Sequence, residues 1–104
     1  MTTRSVTVVN RLGMHARAAA RFVHLATRFE SHIRVGRNSK VMDGKSIMGI
    51  LLLAAARGTT ITISADGSDE EAAVAALTQL VESGFGEDPA AQANTALPGD
   101  RWNA

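Results

Sequence analysis

No cysteine occurs in the 104 residues, so disulfides, thiolate chemistry and cysteine-ligated zinc are excluded, an absence that fits a reducing compartment. Aromatic side chains make up only 4% of the chain, which leaves little with which to stack nucleic-acid bases. No nucleic-acid partner is expected. The amino-terminal stretch Met1-Thr2-Thr3-Arg4-Ser5 lacks the apolar segment of a secretory signal. The longest apolar run, Ile47 to Ala56, is about half the length of a membrane span. A cytoplasmic protein without membrane insertion is the expectation. At this length the chain holds one domain with one core, and no internal repeat or linker divides it.

What is present is unevenly distributed. Residues 1–60 carry ten Lys or Arg against Glu30 and Asp43, a balance of +8; residues 61–104 carry eight acids against Arg101, a balance of −7. Either folding intermixes the two halves, or a basic face survives that attracts anionic substrates or acidic protein surfaces.

Local patterning predicts the elements in order. Arg4 to Val9 alternates as a β-branched strand with Val6 and Val8 facing inward. Asn10 to Met14 is a loop containing Gly13. From Ala16 to about Arg28 the apolar positions Ala19, Phe22, Val23, Ala26 and Phe29 recur at helical spacing, with Arg17, Arg21, His24 and Arg28 on the other side. Ser31–Gly36 and Lys40–Asp43 read as an antiparallel hairpin around Arg37-Asn38-Ser39. Ser46 is a natural N-cap for a short apolar helix that Arg57-Gly58 closes. In that helix Ile50, Leu53 and Ala54 are expected to face the core. Ile47, Met48 and Leu51 lie on another side, where so small a domain leaves apolar groups exposed as a docking surface.

Thr59 to Ala65 alternates as a strand, and Ser68-Asp69-Glu70-Glu71 has the capping-box pattern for a helix to about Glu82. Ala73, Ala76, Leu77, Leu80 and Val81 form its buried stripe, and Ser83-Gly84 ends it. Beyond Phe85 no apolar period continues. The domain is expected to span 1–88, with 89–104 as a mobile tail in which Trp102 offers a local docking group. The order β-α-β-β-α-β-α suits an α+β layer, an antiparallel sheet with helices on one face.

His15 is the residue with chemistry to offer. It stands between Gly13 and a helix start, where unpaired backbone N–H groups and the positive end of the helix dipole favour an anion. His24 and His32 have no motif beside them and read as surface or packing residues. No second ligand stands at a suitable spacing for a metal, and Ser46 lies in no G-x-S-x-G elbow. Gly44-Lys45-Ser46 resembles the end of a P-loop, but the full pattern needs glycine where this chain has Ser39. Nucleophilic attack by the imidazole on phosphorus fits better: phosphoryl oxygens on His15 would meet the N–H groups of Ala16 and Arg17, with the Arg17 guanidinium beside them. From periodicity alone two readings stay open, a plain helix-capping histidine, which is the simpler one, and a phosphoryl acceptor.

Asn10-Arg11-Leu12-Gly13-Met14-His15-Ala16-Arg17 resembles the active-site signature of HPr, the histidine-containing phosphocarrier family of bacterial phosphotransferase systems. Gly44-Lys45-Ser46-Ile47-Met48-Gly49-Ile50 resembles the family's second signature. Both stand at the family's spacing, and the likeness runs from about Arg4 to Asp88. It implies an HPr-like open-faced β-sandwich, a four-stranded antiparallel sheet with three helices on one face. It also implies a carrier, not an enzyme: His15 would take a phosphoryl group on Nδ1 from phosphorylated enzyme I and pass it to a IIA domain, and Arg17 would steady it.

The resemblance gives the exposed helix side a use, since Ile47, Met48 and Leu51 would extend a docking face beside Ala20 and Arg21. Ser46 falls where some members receive a regulatory phosphate from HPr kinase/phosphorylase; a plain helix cap explains it equally well. No cofactor and no metal are implied, and a monomer is expected. Ala18 departs from the family pattern, which has proline there; alanine keeps the helix and is expected to leave the loop and His15 with more freedom. Ser83 to Asp88 looks like the nitrogen-related branch, whereas the Ser46 region looks like the sugar-transport branch. The alternative to a carrier is a non-catalytic regulatory module that binds proteins through Ile47, Met48 and Leu51.

Overall fold

The computed structural model describes residues 1–87. Four strands and three helices alternate in it: β1 (Thr2–Thr7), α1 (Ala16–Ala26), β2 (His32–Arg37), β3 (Lys40–Asp43), α2 (Ile47–Leu52), β4 (Thr60–Asp66) and α3 (Glu70–Glu82). A 3-10 turn, Gly84–Gly86, follows. The strands form one antiparallel sheet in the order β1-β4-β2-β3. This is the open-faced α+β arrangement that the element order suggests.

Period-two alternation decides which side of the sheet is covered. Val6, Ile33, Val35, Ile61, Ile63 and Ala65 are buried beneath the helices with Val8. Phe22, Ala19 and Ala26 of α1, Ile50 of α2 and Ala73, Val74, Leu77 and Val81 of α3 close over them. The opposite face is polar. Thr3 meets Ser64 at 3.2 Å, and Ser5 meets Thr62 and Thr7 meets Thr60 at 3.3 Å each, a row of hydroxyl pairs across β1 and β4. The β2–β3 hairpin turns on two residues, with Asn38 at φ 57, a conformation that asparagine tolerates.

Three expectations are corrected. The apolar run does not continue as helix to Ala56: α2 stops at Leu52, and Ala54 has φ 51 and is exposed, while Ala55 takes the buried place. Two hydrogen-bond donors account for the early stop. The Arg37 guanidinium binds the carbonyls of Leu53 at 2.7 Å and Ala54 at 3.0 Å, and the Met14 N–H takes the carbonyl of Ala55 at 2.9 Å. Carbonyls satisfied from outside do not need the next helical turn.

The Ser68 capping box also does not form, for Asp69 is the N-cap and its side chain makes no cap bond. Its carboxylate is occupied by the hydroxyl of Ser31 and by the N–H groups of Glu30 (2.9 Å) and Ser31 (3.0 Å). Glu70 reaches back to the Gly67 N–H instead, at 3.2 Å. The stripe of α3 is broader than its periodicity suggests, with Val74 and Thr78 buried and Ala76 and Leu80 half-buried.

These contacts make acid a selective stress. Hydrogen bonds from the Thr2 hydroxyl (2.7 Å) and the Gly67 N–H, with the Met1 amino group beside them, pull the Glu70 carboxyl from 4.5 down to about 2. A carboxyl depressed in the folded state stabilises the protein above its unfolded pKa, and that contribution is lost as pH falls through the folded value. Stability to urea should therefore decline between pH 4.5 and about 2. Glu70→Gln should flatten that part of the profile; a variant that loses stability as steeply as the parent there would contradict the assignment.

Candidate functional site

His15 is the N-cap of α1. Its backbone is extended (φ −77, ψ −178), its carbonyl already accepts the N–H of Ala19 at 2.8 Å, and its ring Nδ1 accepts the N–H of Arg17 at 3.3 Å. The imidazole therefore does what a Ser or Asp cap does, holding one of the unpaired donors of the first turn. No acidic residue lies in that turn, so the dipole's positive end is not neutralised from within the helix.

The loop before it is fixed at both ends. Gly13 has φ 68, and a side chain there would put Cβ 2.7 Å from the Ala55 carbonyl oxygen. Met14 is buried and donates its N–H to that same oxygen, so the loop before α1 is seated on the segment after α2. Asn10, 1% exposed, spans the loop with its side-chain amide, donating to the Gly13 carbonyl at 2.7 Å.

Nε2, the other ring nitrogen, faces Glu87. It lies 2.8 Å from Oε1 and 2.7 Å from Oε2, and Oε1 also accepts the Asn10 amide at 3.0 Å. Glu87 is delivered by a left-handed stretch: Gly84, Phe85 and Gly86 have φ 70, 58 and 67. A non-glycine residue in that region costs about 1–2 kcal/mol, and the burial of Phe85, worth about 1.5–3 kcal/mol, offsets it. The Arg21 guanidinium clamps the turn by donating to the Phe85 carbonyl.

The residues singled out in the sequence thus separate into groups. His15, the first-turn N–H groups and Arg17 come together at the start of α1; Arg17 is exposed, and its guanidinium has no carboxylate partner among the described residues. Ala16 is exposed at the first helical position, and Ala18 is fully buried in the first turn. Arg21 is exposed too, yet its guanidinium serves the C-terminal turn. Ala20 is half-buried.

Ser46 is the N-cap of α2, its hydroxyl accepting the Gly49 N–H at 3.0 Å, and no hydrogen bond links it to His15. Around it Ile47 (44%), Met48 (67%) and Leu51 (36%) are exposed, together with Leu52 (54%), which the sequence reading did not include. α1 and α2 pack against each other. Pro89, Pro98, Gly99 and Trp102, with the rest of the expected tail, lie outside the described residues.

Asn10 and Glu87 are the site residues that sequence reasoning missed. Glu87 also qualifies the expectation of a basic face, because it brings a charge of the acidic half against the histidine. One signal marked the turn that carries it: Phe85, one of four aromatic residues, sits between two glycines, and an aromatic there needs a place to be buried. Among the described residues no cluster of three or more metal-ligating side chains occurs, and no helix is long and apolar enough to cross a membrane.

Comparisons with known proteins agree on one relationship. The profile described as "PTS HPr component phosphorylation site" matches residues 2–83. The phosphocarrier protein HPr of Cupriavidus necator is 46% identical over 87 residues, covering 84% of this chain and 98% of that protein. HPr of Pseudomonas aeruginosa is 44% identical over 88 residues, with the same coverages of 84% and 98%. The crystal structure of HPr-C-His from Thermoanaerobacter tengcongensis superposes with a TM-score of 0.82 at 44% identity, covering 85% of this chain and 99% of that one.

Replacing Gly13 with alanine tests how tightly the histidine loop is seated. Gly13→Ala forces Cβ onto the Ala55 carbonyl at a positive φ, and should lower unfolding stability by more than about 1 kcal/mol. An unchanged urea midpoint would show that the loop gives way freely.

Proposed function

Because the chain belongs to the HPr family of phosphotransferase-system phosphocarrier proteins, we propose that His15 carries the phosphoryl group, accepting it on Nδ1 from phosphorylated enzyme I and handing it to a IIA domain. A phosphocarrier is a stoichiometric carrier rather than an enzyme, so the chemistry asked of the site is limited. It must present a nucleophile, hold the phosphoryl group without making it inert, and be recognised on both sides of the relay.

The observation that carries the reading is the contact of Nδ1 with the Arg17 N–H at the start of α1. At 3.3 Å it is a long bond, easily exchanged. Once Nδ1 is bonded to phosphorus, the phosphoryl oxygens take over the Arg17 N–H and gain that of Ala16, with the exposed Arg17 guanidinium in reach. Each helix-end interaction contributes about 0.3–1 kcal/mol, up to about 2 where partly buried. Such energies orient a phosphoryl group and still release it.

Docking falls to the exposed apolar side of α2, Ile47, Met48 and Leu51, beside Ala20 and Arg21 of α1. The same reading makes Ser46 the acceptor for HPr kinase/phosphorylase. A phosphate on this cap would leave α2 folded while setting negative charge next to Ile47 and Met48, opposing an acidic partner. The protein acts in the cytoplasm as a monomer.

Incubation with enzyme I and phosphoenolpyruvate should give an acid-labile, base-stable phosphate that disappears in His15→Ala; label that survives this substitution would refute the assignment. Met48→Asp, which keeps His15, should slow phosphoryl acceptance about tenfold, the effect of losing about 1.4 kcal/mol of docking energy. An unaltered rate would remove α2 from the docking face.

A further inference from the structure

The carboxylate of Glu87 lies on the edge of the imidazole away from Nδ1, and it meets the ring with little water around either group: the side chains of His15 and Glu87 are 27% and 11% exposed. An ionised carboxylate only accepts hydrogen bonds, so Nε2 must be the nitrogen that carries the proton. The contact at the other edge makes the same demand, since the Arg17 N–H donates to Nδ1 and requires a lone pair there. Two unrelated elements, the helix start and the C-terminal turn, therefore select one form of the neutral ring, with Nε2–H and a bare Nδ1.

Glu87 is itself held from three directions. Asn10 donates to Oε1, the Glu87 N–H bonds the Gly84 carbonyl at 3.0 Å, and Arg21 clamps the turn through Phe85. Oε2 is buried and among the described residues has no partner beyond the Nε2 proton that both oxygens face. A fixed, nearly dry carboxylate, with one oxygen shared with the Asn10 amide and the other left to the ring, is aimed at Nε2.

We propose that Glu87 is a positioning residue for phosphoryl transfer: it holds His15 with Nδ1 presented as the nucleophile and balances the charge that the ring acquires. The proposal rests on the reading of His15 as phosphoryl acceptor. In the step concerned, the Nδ1 lone pair forms the bond to phosphorus while the donor's bond to that phosphorus breaks, its electron pair leaving with the donor. No proton moves. The ring, neutral before, becomes an imidazolium whose positive charge is shared with Nε2–H, directly against the carboxylate. On transfer to the acceptor the N–P electron pair returns to Nδ1 and the ring is neutral again. The charge of Glu87 thus favours acceptance and prolongs the life of the phosphohistidine.

The full chain and two variants, Glu87→Ala and Glu87→Gln, separate this role from a structural one. Glutamine keeps an acceptor for Nε2–H but no charge. Rates of phosphoryl acceptance from enzyme I and phosphoenolpyruvate should fall about tenfold or more in Glu87→Ala, the scale expected of a misplaced reacting group, and stand in between for Glu87→Gln. In ring 15N-labelled protein a sharp, slowly exchanging Nε2–H signal should be present in the parent and Glu87→Gln and be lost in Glu87→Ala. Parent protein labelled on His15, with both variants equally fast, would overturn the positioning role and leave the carrier reading intact; a Nε2–H signal unchanged in Glu87→Ala would overturn it as well. Parent protein that takes no phosphate on His15 would refute the carrier reading itself.

Discussion

The hydrogen bond from the Met14 N–H to the Ala55 carbonyl ties the histidine loop to the chain that leaves α2. It seats the loop before α1 on the segment after α2, and much else follows from that seat. Backbone must approach backbone, so Gly13 has no room for a side chain. The Ala55 carbonyl points away from any helix, so α2 ends after six residues and Ala54 adopts a left-handed conformation. With Met14 buried as an anchor, the next residue has one course open: an extended His15 whose carbonyl starts α1 and whose ring folds over the first turn.

Charge is placed with similar economy. The start of α1 carries no acid of its own, and Arg17 stands exposed beside it, so one edge of the histidine ring looks into a positive field. The other edge looks at Glu87. An imidazole between a helix start and a carboxylate is polarised along the axis from one nitrogen to the other. Basic residues elsewhere have been put to internal use: Arg37 closes the end of α2, and Lys45 binds the Phe29 carbonyl at 2.7 Å.

Sequence patterning gave access to most of the fold because the period-two and helical repeats of Val6, Ile33, Val35, Ile61, Ile63, Phe22 and Leu77 are what the core is made of. It failed where a distant donor competes with a local rule. Ala54 looked helical because nothing nearby says that Arg37 and Met14 will claim the neighbouring carbonyls; Ser68 looked like a cap because the pairing of Asp69 with Ser31 spans 38 residues. His15 was legible from Gly13, the alanine-rich helix and the resemblance of its surroundings to a known signature. Glu87 was not, for it is 72 residues from His15 and reaches it only through a turn whose shape depends on burying Phe85.

That turn makes the site a cooperative unit. Three successive residues wound in the left-handed sense are held by one buried ring, one guanidinium clamp and two short turn bonds, from the Gly86 N–H to the Ser83 carbonyl and from the Glu87 N–H to the Gly84 carbonyl, with no sheet to back them. Such a segment opens as a whole rather than by fraying residue by residue. When it opens, Phe85 leaves the core, Arg21 loses its carbonyl, and the Asn10 amide and the imidazole lose their shared carboxylate in the same event. The setting of His15 is thereby tied to the local stability of the C-terminal turn.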